Sequence, residues 1–83
     1  MRKIRAMKVY VGLYEHKHGS NVAVYASAQA AETARQLIAD EGWDREIGNT
    51  RTRPADPKEL ADAYFDALDG REYFTIHECE VQH

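Results

Sequence analysis

The chain has little of what small secreted, membrane-embedded or catalytic proteins depend on. One cysteine, Cys79, occurs in its 83 residues. No intrachain disulfide can therefore staple the fold, and a reducing compartment is the expected setting. No apolar stretch approaches the roughly 20 residues that a membrane helix needs. The start, Met1-Arg2-Lys3-Ile4-Arg5-Ala6-Met7, has the charge of a signal peptide but lacks the apolar run that should follow it. These absences predict a soluble, cytoplasmic protein with no membrane partner. Gly-rich phosphate loops, nucleophile elbows, HExxH and CxxC motifs are missing too, and so short a chain offers little volume for an ordinary ligand cavity. The expectation is a non-enzyme without a cofactor.

What is there is globular in composition, with 43% hydrophobic and 30% charged residues. A chain of this size supports one modest core and no second domain. The net charge of −3 is unevenly spread. Arg2, Lys3, Arg5 and Lys8 crowd the start, whereas residues 56 to 80 hold eight acids against two bases. An acidic second half is not the footprint of a whole-domain nucleic-acid binder. Residues 1–7 are expected to form a basic, disordered extension, and residues 8–83 a single domain.

Along the chain, Lys8 to Glu15 alternates as a half-buried strand does. The run His16-Lys17-His18-Gly19-Ser20-Asn21 supplies turn chemistry, and Val22-Ala23-Val24-Tyr25 resumes the alternation, which predicts a hairpin. Ser27 suits an N-cap. Behind it, Ala30, Ala31, Ala34, Leu37 and Ile38 recur at helical spacing up to Gly42, predicting a helix over 28–41 that ends at a left-handed glycine. A second helix is signalled by Asp56 as cap, Pro57 at the first position and Glu59 at the third. Its apolar stripe is Leu60, Ala61, Tyr64, Phe65 and Leu68, and Gly70 ends it. Residues 71–81 return to strand character. The order is ββααβ, an α+β domain in which both helices pack on one face of a three-stranded sheet.

Four constellations stand out as candidate sites. With Val9, Val11, Leu13, Val22 and Val24 assigned to the core, strand alternation turns Tyr10, Tyr14 and Tyr25 outward. With Phe74 and Ile76 also inward, Tyr73 joins them, giving a tyrosine-rich open face of the kind found at protein interfaces and suited to self-association as a homodimer. Glu59, Asp62, Asp66 and Asp69 make a one-signed stripe along the second helix, a surface for a basic partner, although such stripes are more often solvated faces. His16, His18, His77 and Cys79 are acceptable zinc ligands by type, and up-and-down winding would bring the end of strand three to the hairpin tip. Their spacing is generic, so a fortuitous pattern is the commoner meaning. Arg45, Arg51 and Arg53 in the long inter-helix loop, with the basic start, would serve a nucleic-acid-binding accessory protein. The competing reading pairs them with the acids of the second helix.

The succession Val9-Tyr10-Val11-Gly12-Leu13-Tyr14-Glu15-His16, His18-Gly19, Val22-Ala23-Val24-Tyr25-Ala26-Ser27 and an alanine-rich helix followed by Trp43 resembles small proteins encoded by phages, prophages and plasmids. In scale and acidity the chain resembles anti-CRISPR inhibitors among them. The resemblance covers residues 7–43. It implies a non-catalytic inhibitor that occupies a basic surface of a nucleic-acid-handling complex, with the acidic stripe as the blocking surface. The expectations therefore rank as a protein-binding module first, a nucleic-acid-binding protein second and a metal-binding domain third.

Overall fold

Register places Tyr10, Gly12 and Tyr14 on one face of the sheet and Val9, Val11 and Leu13 on the other, and the helices cover the tyrosine face. The computed structural model describes residues 6–82. Its elements are β1 (Ala6–His16), β2 (Gly19–Tyr25), α1 (Ala28–Glu46), α2 (Pro57–Ala67) and β3 (Tyr73–Gln82). The sheet is antiparallel in the order β2-β1-β3. Ala6 and Met7 belong to β1, so the domain begins ahead of the expected boundary at residue 8. The basic residues Arg2, Lys3 and Arg5 lie outside the described residues.

Local signals set most element ends. The Ser27 hydroxyl accepts from the Ala30 amide at 3.1 Å, and the Asp56 carboxylate accepts from the Glu59 amide at 3.0 Å, each relieving a first-turn donor that the helix itself cannot pair. Pro57 occupies the first turn of α2, where its missing N–H removes no intrahelical bond. Gly70, at φ 88°, turns the chain from α2 towards β3.

One boundary differs from expectation. α1 runs through Gly42 to Glu46, and the left-handed glycine past its end is Gly48, at φ 60°, whose amide donates to the Trp43 carbonyl. The helix continues because its apolar spacing continues: Ala39, Trp43 and Ile47, four residues apart, are all buried.

The core lies between the helices. Ala39, Trp43 and Ile47 pack against Leu60, Ala61, Tyr64 and Leu68. Fully burying side chains such as Trp43, Tyr64 and Leu68 stabilises by about 1.5–3 kcal/mol each. Phe65 carries this cluster down to the sheet, meeting Tyr64 edge-on at 5.0 Å, Phe74 at 6.3 Å and Tyr14 at 6.5 Å between ring centroids. Arg35 of α1 ties the helices together, with Asp62 at 2.6 Å and Glu32 at 3.0 Å. Just before β3 the buried Glu72 carboxylate accepts from Tyr14 Oη at 2.7 Å and Tyr64 Oη at 3.0 Å, tying β1 and α2 to the chain entering β3.

Candidate functional site

Among the described residues the sheet has one face covered and one bare. A residue-by-residue ladder in which Gly12 opposes both Ala23 and Ile76, and Tyr14 opposes Asn21 and Phe74, fixes which side chains share a face. Tyr14 reaches Phe65 and Glu72 on the helix side. Gly12 is buried there, and a Cβ on it would stand 2.9 Å from the Tyr25 ring and 3.0 Å from the Phe74 ring. Tyr10, Tyr14 and Tyr25 thus line the covered face, which corrects the expectation that they form an open tyrosine surface. Aromatic rings fill the space beneath the helices, and the shorter aliphatic residues face away. In β3 the expected parity holds: Phe74 and Ile76 turn inward and Tyr73 outward.

The bare face is formed instead by the valines that alternation had assigned to the core. Val22 and Val24 on β2 are 64% and 65% exposed. Met7 and Val81 are exposed at the far end, and Tyr73 at the end near the hairpin. Between them, Val9, Val11 and Leu13 of the central strand are half-buried only by their strand neighbours. Val11 opposes Val24 on one side and His77 on the other. Glu15, at the hairpin end, is the one carboxylate on this face, and no lysine or arginine shares it among the described residues. On the opposite face, by contrast, the strand end beyond Gly12 is polar: Lys8 faces Glu78 at 3.7 Å, and Tyr10 Oη donates to Glu78 at 3.3 Å.

The acidic stripe on α2 is neutralised at its middle. Asp62 receives Arg35 at 2.6 Å and Lys58 at 3.0 Å, which holds its carboxyl below the usual range, chiefly through the Arg35 hydrogen bond. Asp66 faces Arg51 at 3.7 Å. Glu59 and Asp69 stand exposed on either side of these pairs. The arginines are occupied in the same way, although only Arg51 and Arg53 lie in the inter-helix loop; Arg45, expected there, stands in the last turn of α1, which runs on past Gly42. Arg53 pairs with Asp40 and faces Asp44 at 3.8 Å, with its guanidinium 6.0 Å from the Trp43 ring, and Arg45 meets Glu46 at 3.2 Å. Arg45, Arg51 and Arg53 therefore each face an acid of their own chain, which leaves them less charge to offer a phosphate.

The histidines and the cysteine do not converge. β3 is antiparallel to β1, so Tyr73, not Cys79, lies near the hairpin tip, and His77 and Cys79 oppose Val11 and Val9. His16 is five residues along β1 from Val11, roughly 17 Å at strand rise, and on the other face. Its ring is engaged by Asn21 Oδ1 at 2.6 Å and by the His18 amide at 3.2 Å. The expected convergence fails because the two helices step along each other in the same direction, Leu60 beside Leu37 and Tyr64 beside Gly42. The chain therefore re-enters the sheet at the hairpin end. No group of three or more potential metal-binding side chains occurs among the described residues, and no helix there is long and apolar enough to cross a membrane.

An open groove of about 520 Å³ lies between α1 and the returning loop, lined by Leu37, Pro54 and Leu60 together with Asp40 and Arg53. Asp40 and Arg53 pair with each other, and Gln36 donates to Glu32. No family model matches the chain, and neither does a characterised protein or a solved structure.

Proposed function

We propose that this chain is a non-catalytic protein-binding module whose binding surface is the bare face of its sheet. The observation that carries the reading is the exposure of Val22 and Val24, about two-thirds each, beside a half-buried row of Val9, Val11 and Leu13. Antiparallel sheets with one wet face ordinarily put polar residues on it. A contiguous aliphatic surface rimmed by polar groups is the usual mark of an interaction site. The buried carboxylate, Glu72, is taken up by two tyrosine hydroxyls, which fits a structural rather than a catalytic use.

The acidic face of α2, the surface an inhibitor of a basic complex would present, has weaker support because Asp62 and Asp66 already face cations of the same chain. The two surfaces separate in an affinity-capture experiment from host lysate. A partner retained by wild type and by Asp66→Lys/Asp69→Lys, and lost with Val22→Lys/Val24→Lys, is the expected result. The reverse pattern would move the function to α2.

A further inference from the structure

Resting on that reading, we infer that the occupant of the bare face is a second copy of this chain, giving a face-to-face homodimer with two sheets stacked between outer helical layers. Charge is the first argument. The chain carries a net charge of −3, which opposes contact between its acidic surfaces, whereas the face formed by Val9, Val11, Leu13, Val22 and Val24 has one carboxylate, Glu15, placed at its hairpin end. A face with so little charge, aliphatic along β1 and β2 and mixed along β3 with Tyr73, Thr75, His77 and Cys79, is able to meet its own copy, as an isologous two-fold contact requires.

Shape is the second argument. Two sheets of identical twist pack about 10 Å apart at roughly −30°. Among the described residues no helix or loop crosses the bare face, which forms a continuous plate. The third is strand composition: Val9-Tyr10-Val11-Gly12-Leu13-Tyr14 and Val22-Ala23-Val24-Tyr25 are near-continuous apolar runs. Runs of that kind belong to strands covered on both faces.

Size bounds the strength. Three strands about 4.8 Å apart, with rows rising about 3.4 Å each, make a plate of roughly 14 by 24 Å, and the two-stranded end of β1 and β3 extends it. That projected area, roughly 340 Å², is less than half of the about 800 Å² per partner of a standard interface, which puts the contact among weak, transient ones. The dimer is therefore expected to be concentration-dependent.

Cys79, exposed on this face beside Val9, is a built-in reporter. Sedimentation equilibrium of the full chain from roughly 1 to 500 μM, spanning the range in which so small an interface dissociates, should show a shift from 9.5 kDa towards twice that mass. Val22→Lys/Val24→Lys should stay monomeric, while Glu59→Lys on α2 should dimerise as wild type does. Alkylation of Cys79 by a bulky maleimide should slow in proportion to the free-monomer fraction, roughly threefold to tenfold across the series. The Cys79 readout uses wild type alone and so decides the matter even where the double variant fails to fold.

A wild-type chain that is monomeric throughout overturns the homodimer but leaves the protein-binding reading to the capture experiment. A dimer that persists in Val22→Lys/Val24→Lys with Cys79 fully reactive also overturns it and moves the contact elsewhere, the free edge of β3 being the obvious place.

Discussion

The Tyr64 side chain occupies the space that a side chain on Gly42 would need. A Cβ at Gly42 would overlap Tyr64 Oη and lie 2.9 Å from its Cζ. The tyrosine cannot swing aside cheaply, because its hydroxyl is bonded to Glu72 and its ring is fully buried. In an exposed helix, glycine to alanine stabilises by about 1 kcal/mol. Here overpacking of about 1–3 kcal/mol opposes it, so Gly42→Ala is expected to lower the urea midpoint. A raised midpoint would show that the helices separate freely and that Gly42 is not a contact.

Glu72 is the acceptor for two phenols, and its removal should be felt in proportion to their burial. Glu72→Ala leaves the Tyr64 hydroxyl without this acceptor in the core, at a cost of about 1–3 kcal/mol. Glu72→Gln keeps an oxygen acceptor and should cost less. Burial first, and then the Glu72 carboxylate, push the Tyr14 and Tyr64 phenols above the ordinary tyrosine value. Because their pKa is raised on folding, their contribution is intact below about pH 10 and is lost as pH climbs through the folded values. Alkaline unfolding followed by tyrosinate absorbance should therefore begin above about pH 10, and Tyr64→Phe should shift its onset upward. An unchanged onset would mean that Tyr64 ionises without unfolding.

Ser27, Asp56, Pro57 and Gly70 made the element order legible in the sequence, because caps and breakers act within a turn of where they stand. The facing of the sheet was not legible in the same way. Both sides of β1 and β2 are apolar, so alternation gives two parities of nearly equal merit. Assigning the aliphatic side to the core chose the wrong one, and with it hid Val22 and Val24 as surface residues. The available signal was Gly12, a glycine in the middle of a strand, which marks a close approach from the side it shares with the tyrosines. The end of α1 was misplaced for a related reason. A glycine at Gly42 reads as a stop until Trp43 and Ile47 are seen to continue the buried stripe. The missing convergence of His16 with His77 and Cys79 depended on the relative direction of the helices, which no local signal records.

Arg35 should set the acid limit of stability. It holds both Glu32 and Asp62 below the usual carboxyl range through its hydrogen bonds, and it lies 5.9 Å over the Phe65 ring. Carboxyls depressed in the folded state contribute fully above their unfolded values and lose that contribution as pH falls through the folded ones. Stability should accordingly drop below about pH 4. Asp62 is half exposed and solvent screens it, so Arg35→Ala is expected to cost only about 1–2 kcal/mol near neutrality and to flatten the acid limb of the profile. Chemical denaturation at a series of pH values reads both effects, and an acid limb that survives Arg35→Ala would place the titrating carboxyls elsewhere.

The reversed facing of the sheet predicts an asymmetry between adjacent residues. Tyr14 touches Phe65, Phe74 and Glu72, so Tyr14→Ala should remove about 2–4 kcal/mol through lost packing and an acceptor left with one donor fewer. Gly12→Val should also destabilise, by about 1–3 kcal/mol, because it drives a branched side chain against the Tyr25 and Phe74 rings. On the other face Val24→Thr changes a residue that is 65% exposed, and its effect on the isolated chain should stay within about 0.5 kcal/mol. Measured at dilutions where the chain is monomeric, the three variants separate the two parities without reference to any partner. If Val24→Thr proved as damaging as Tyr14→Ala, the valine face would have to be the covered one. The same comparison repeated at high concentration adds the cost of losing the partner, so Val24→Thr should then become concentration-dependent while the Tyr14→Ala penalty stays the larger at every dilution.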